Sequence, residues 1–98
     1  MILEHAPITV RPGQELEFEA AFAQARPIIS AATGFRKVSL SRCIERPGSY
    51  LLLVEWERLE DHVEGFRGSP QFENWKQLLH HFYDPPQTVE HFEEVVTK

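Results

Sequence analysis

The chain has 98 residues, enough for one hydrophobic core and too few for two, so a single domain over residues 1–98 is expected. With 42% hydrophobic and 26% charged residues it is too apolar and too mixed in charge to be disordered. A net charge of −5, with the ten Lys and Arg scattered along the chain, excludes the basic footprint of a nucleic-acid binder and argues against an anionic membrane partner. The longest aliphatic run, Leu51 to Val54, is far short of a membrane span, and Met1 to His5 lack the basic start and apolar stretch of a signal peptide. A cytoplasmic location is the expectation. The single cysteine, Cys43, has no partner for a disulfide, redox or zinc motif and reads as a small strand residue.

Ile2 to Val10 is short, apolar and β-branched and ends at Arg11-Pro12-Gly13, which predicts a first strand. From Gln14 to Ala32 the residues Phe18, Phe22, Ala25 and Ile29 recur at helical spacing, with Glu15, Glu17 and Glu19 near the end where the helix dipole favours acids. Pro27 removes one donor, so a kink or restart is expected there, and Gly34 suits a helix C-cap. Phe35 to Cys43 and Tyr50 to Glu57, joined by Arg46-Pro47-Gly48-Ser49, read as an antiparallel hairpin. Leu59, His62, Val63 and Phe66 then share one face of a short helix. Ser69-Pro70 starts another, over Gln71 to Tyr83, which packs Phe72, Trp75, Leu79 and Phe82 on one stripe and stops at Asp84-Pro85-Pro86. Gln87 to Val95 is the last strand.

The order is β-α-β-β-α-β, an α+β, ferredoxin-like arrangement in which right-handed crossovers put both helical layers on one face of a four-stranded sheet. The third strand is apolar on both parities: Tyr50, Leu52, Val54 and Trp56 on one face, Leu51 and Leu53 on the other. A sheet covered by helices on one side needs only one such face, so a second copy of the chain is expected on the other, making a homodimer.

Arg11-Pro12-Gly13-Gln14 before the first helix, Gly34-Phe35 opening the second strand, the run Leu51-Leu52-Leu53-Val54-Glu55-Trp56-Glu57, and His62 followed by Ser69-Pro70-Gln71-Phe72 resemble the antibiotic biosynthesis monooxygenase family of dimeric α+β barrels. The resemblance spans nearly the whole chain. It implies the fold and leaves the chemistry open, because that superfamily holds cofactor-free quinol oxygenases, haem-degrading enzymes, decarboxylase-like and isomerase-like members, and domains without a known reaction. The asparagine, tryptophan and histidine of the haem-degrading members would fall near Ala6, Phe66 and Lys76, none of which matches. A shifted register would bring in Trp75 and His80 or His81.

The oxygenase branch implied by the resemblance needs an apolar slot, a base and a donor for developing negative charge, with no cofactor, because a deprotonated phenolic or quinol-type aromatic passes an electron to dioxygen itself. Trp56, Phe66, Trp75 and Phe82 supply aromatic walls, and His62, inward on its stripe, is the candidate base. His81 and His91 are further candidates for the substrate site, although His80 and His81 flank their stripe on opposite edges and cannot both face one ligand. Helical aromatics and an inward histidine are also what an ordinary core contains. No His-x-His, His-Glu-x-x-His or cysteine pair suggests a metal, and no phosphate loop or nucleophile elbow is present. Glu15, Glu17 and Glu19, and Glu55 with Glu57, read as solvated faces or edge charges. Arg36, Arg42 and Arg67 are surface arginines that could each orient an anionic oxygen. The expected function is a monooxygenase acting on a small aromatic. A non-catalytic ligand-binding or stress-associated module, or a non-oxidative decarboxylase or isomerase, are the alternatives.

Overall fold

Alternating burial along two strands and a four-residue apolar stripe on the first helix supply much of the core. In the computed structural model, which describes residues 1–96, the strands are β1 (Ile2–Thr9), β2 (Phe35–Arg42), β3 (Ser49–Trp56) and β4 (Glu90–Glu93). The helices are α1 (Glu15–Ser30) and α2 (Pro70–Leu79), with a π-helical turn at Asp61–Phe66 and a 3₁₀ turn at His80–Phe82. The sheet is antiparallel in the order β2-β3-β1-β4, the ferredoxin-like topology. Ala6 and Ile8 of β1, and Val10 just beyond it, alternate into the core, as do Tyr50, Leu52, Val54 and Trp56 from β3. They meet Phe18, Phe22, Ala25 and Ile29 of α1 and Trp75 and Leu79 of α2, so both helices lie on one face.

The expected stripe of α1 is the buried one, residue for residue. The helix runs through Pro27 without restarting; Pro27 lies near its C-terminal end on the exposed face. The C-cap is Ala31 rather than Gly34. Gly34, at φ +81°, instead turns the chain into β2, and a Cβ there would overlap the Asp61 carboxyl. Its carbonyl accepts the Glu57 amide at 2.8 Å.

Three boundaries differ from the periodic reading. The short helix after β3 is π-wound, with the Arg67 amide donating to the His62 carbonyl five residues back. That winding buries Asp61, His62 and Phe66 and leaves Leu59 at the surface. The helix expected to reach Tyr83 gives way at His80 to the 3₁₀ turn. The last strand shrinks to four residues, and 87–89 run as irregular chain beside the core.

On the other face of the sheet Leu3, His5, Leu51 and Leu53 are half-buried, and Phe92, edge-on to His5, is 48% exposed. Glu19 is not a solvated charge: it accepts Arg42 at 2.7 and 3.0 Å and the Tyr50 hydroxyl at 2.6 Å, tying α1 to the hairpin.

Candidate active site

Glu4 has the same inward parity on β1 as Ala6 and Ile8, and it is buried like them. The register sets it opposite Val54 on β3 and His91 on β4, which brings the His91 side chain to the inner face. Above this pair the π turn lowers His62, whose side chain is 3% exposed, onto Trp56, the rings nearly parallel with centroids 5.4 Å apart.

A continuous polar chain results. The Trp56 indole donates to Glu4 Oε1 at 2.9 Å, and His62 Nε2 lies 3.3 Å from the same oxygen. His62 Nδ1 and His91 Nε2 are 2.7 Å apart, so one of them carries a proton and the other accepts it. Burial raises the Glu4 carboxyl above its ordinary range, opposed only in part by the Trp56 hydrogen bond and by Arg67. Burial also drives the His62 imidazole down to about 3, aided by the charge of Arg67 and by His91. Near neutral pH the Glu4–His62 contact therefore joins a carboxyl group to a neutral imidazole and is not an ion pair. Two proton arrangements fit. With Glu4 ionised, His62 donates from Nε2 and accepts from His91 at Nδ1. With Glu4 protonated, Trp56 still donates to it while the two histidine contacts reverse, so that His62 accepts at Nε2 and donates to His91 from Nδ1.

Glu4 and His62 open onto a cavity of about 570 Å³ between the sheet, the π turn, α2 and the chain before β4. Phe66, Phe72, Trp75 and Tyr83 give it aromatic walls, and Ile29, Leu52, Pro86 and Val89 complete the apolar lining. Its other polar residues are Arg67, His80 and Gln87. A second hollow, of about 510 Å³, lies across the π turn against the end of α1 and shares only Phe66 with the first. It contains no histidine or tryptophan.

The residues expected at the site separate into three groups. Phe66, Trp75 and His62 line the cavity. Trp56 and His91 stand behind it as partners of Glu4 and His62. Phe82 and His81 do not reach it: Phe82 is buried against Phe18, while His81 is exposed, because the 3₁₀ turn ends the helical phase and presents His80 instead. His62 lines the cavity with both its ring nitrogens engaged, Nε2 by Glu4 and Nδ1 by His91. Glu4, Tyr83 and Gln87 join the lining without a signal in the sequence pattern. Arg36 pairs with Glu57 and Arg42 with Glu19, leaving Arg67 as the arginine at the cavity. Among the described residues no three His, Cys, Asp or Glu side chains converge as a metal site. No helix among them is long and apolar enough to cross a membrane.

A ferredoxin-like sheet with an aromatic cavity under its helices defines an α+β domain of the antibiotic biosynthesis monooxygenase type. The model of that family, antibiotic biosynthesis monooxygenase, matches residues 1–78, and the chain belongs to it. It is 57% identical to the uncharacterized protein YczJ of Bacillus subtilis, covering 97% of this chain and 100% of that one. A candidate antibiotic biosynthesis monooxygenase from Bordetella bronchiseptica superposes with a TM-score of 0.92 at 42% identity, over 97% of both chains. SnoaB of Streptomyces nogalater, a cofactor-independent oxygenase, superposes at 0.74 with 25% identity, over 98% of this chain and 94% of its own.

Proposed function

We propose that the protein is a cofactor-independent monooxygenase that converts a small phenolic or quinol-type aromatic to the quinone. The observation that carries this reading is a buried carboxyl, Glu4, on the wall of an aromatic cavity, backed by two histidines and a tryptophan. Ionised Glu4 takes the phenolic proton, and its raised proton affinity makes it a stronger base than a solvated carboxylate. The phenolate gives one electron to dioxygen, and the two radicals combine at a ring carbon. The bound proton returns to the peroxide oxygen, and loss of water leaves the new carbonyl. One oxygen atom enters the product, the other leaves as water, and the four electrons come from the substrate. Phe66, Phe72 and Trp75 hold the ring flat and keep bulk water from the radical pair.

His62 acts here as a relay and not as the first base. Before turnover, the chain through His62 to His91, which is half-exposed, lets Glu4 lose its proton to solvent and reach the ionised form that starts the reaction. The working unit in this proposal is a homodimer, its copies packed through the face bearing Leu3, Leu51, Leu53 and Phe92.

Oxygen uptake by chelator-treated protein against hydroquinones, naphthols and anthrone-like phenols tests the reaction. Uptake above the autoxidation blank should fall by on the order of 10²–10⁴ in Glu4→Gln, the usual range for a lost general base. Equal uptake by this folded variant would remove Glu4 from the mechanism. Substrate loss that continues without dioxygen would point to a decarboxylase or isomerase, and binding without turnover to a ligand module.

A further inference from the structure

Tyr83 lines the aromatic cavity with a side chain that is only 5% exposed, and its hydroxyl makes no hydrogen bond among the described residues. A buried tyrosine usually finds a partner for this group, because leaving it unpaired is costly. The hydroxyl is not sealed off as His80 Nε2 and Gln87 Oε1 are: it keeps accessible surface, and on so buried a residue that surface opens into the cavity. The ring is held in place. Its backbone amide donates to the His80 carbonyl at 3.2 Å, Val10 pairs with it in an isolated bridge, and the rings of Phe18 and His80 flank it at centroid distances of 6.1 and 5.1 Å. Burial first, and then the charge of nearby Glu4, hold its proton far more tightly than in water, so Tyr83 stays protonated and is a donor, not a second base.

We infer that the Tyr83 hydroxyl is the hydrogen-bond donor to the phenolic oxygen of the ligand, holding it as the anion. This rests on the aromatic cavity being the substrate site. The chain through Trp56, Glu4, His62 and His91 is closed on itself and spares no donor for a ligand, whereas Tyr83 has one free. A hydrogen bond to an ionised acceptor is roughly twice as strong as one to a neutral acceptor, so Tyr83 favours phenolate over phenol. The division of labour is then between a carboxylate that removes the proton and a fixed phenol that receives the charge left behind. Water satisfies Tyr83 in the free protein without changing the argument, since a ligand oxygen replaces its hydrogen bond and an apolar group does not.

The ionisation of bound 4-nitrophenol, whose anion is coloured, tests the inference by absorbance against pH without dioxygen. The bound probe should ionise about one to two pH units lower in the wild type than in Tyr83→Phe, the scale of one hydrogen bond to a charged group. The same difference should separate Glu4→Gln from the double variant Glu4→Gln, Tyr83→Phe, because the donor acts on the oxygen whether or not Glu4 can take its proton. Tyr83→Phe should also melt no lower than the wild type, since it removes a hydroxyl with no bond to the protein. Equal ionisation in the wild type and Tyr83→Phe, a difference that vanishes in the Glu4→Gln pair, a clearly destabilised Tyr83→Phe, or a probe that the wild type does not bind would each overturn the assignment. Because the titration needs no turnover, a failed oxygen assay with the shift intact would refute the monooxygenase and leave Tyr83 as the donor of a ligand site.

Discussion

His62→Phe, which preserves a flat ring against Trp56, isolates the consequence of burying a neutral imidazole. The His62 pKa falls from 6.5 to about 3 on folding, so the unfolded chain takes up a proton at this residue before the folded one does. The resulting stability is complete above about pH 6.5 and is lost as the pH falls towards 3. By pH 4.5 two units of that window have been crossed, at about 1.4 kcal/mol each for a fully dry site. Allowing for solvent reaching the pair past His91, about 2 kcal/mol should disappear between pH 7.5 and 4.5. At pH 7.5 the variant loses the His91 hydrogen bond and the Glu4 contact, a cost of about 1–3 kcal/mol. The wild type should therefore exceed His62→Phe by that margin at pH 7.5, and the margin should close by pH 4.5. Urea unfolding followed by tryptophan fluorescence at several pH values gives the difference, in which contributions from the other titrating groups cancel to first order. A margin that stays constant with pH, or a His62 ring proton titrating near 6.5 by NMR, would refute the reasoning.

Glu4 should behave with the opposite sign. Its folded pKa is raised, so its ionisation costs stability as the pH climbs from about 4.5 through the folded value. Glu4→Gln should melt above the wild type at pH 8 and lose that advantage below pH 4.5, the reverse of its effect on oxygen uptake. Leu53→Lys places a charge in the middle of the uncovered sheet face and should turn a dimer into monomers in sedimentation velocity, whereas a wild-type monomer would end the dimer proposal. Gly34→Ala meets both a positive φ and the Asp61 carboxyl, and should cost at least about 2 kcal/mol in denaturant unfolding.

Periodicity carried the fold. The spacing of Phe18, Phe22, Ala25 and Ile29 predicts the buried face of α1, and the parity of Tyr50, Leu52, Val54 and Trp56 predicts that of β3. It carried the site only where it stayed in phase. Beyond Leu79 the winding tightens, so extrapolating 3.6 residues per turn gives no means of choosing between His80 and His81. Gln87 reads as a strand residue because strand boundaries are blurred by neighbouring β-branched residues, here Thr88 and Val89. Glu4 is hidden for another reason: Ile2 and Leu3 are apolar on both parities, which obscures which face is inward, and a carboxylate on a strand is normally solvated. Counting back in twos from Val10, Ile8 and Ala6 would have placed it inside.

The i to i+5 bond from the Arg67 amide to the His62 carbonyl makes the site sensitive to chain length as well as to side-chain chemistry. An α-helix completes a turn in about 3.6 residues, and the wider winding at Asp61–Phe66 takes an extra residue into its turn. Deleting Val63 or Glu64 would let ordinary winding return while leaving Glu4, His62, Phe66 and His91 all present. Either His62 would swing away from Trp56 or Phe66 would leave the wall between the two hollows. A chain one residue shorter here could carry every named side chain and still lack the arrangement they form together.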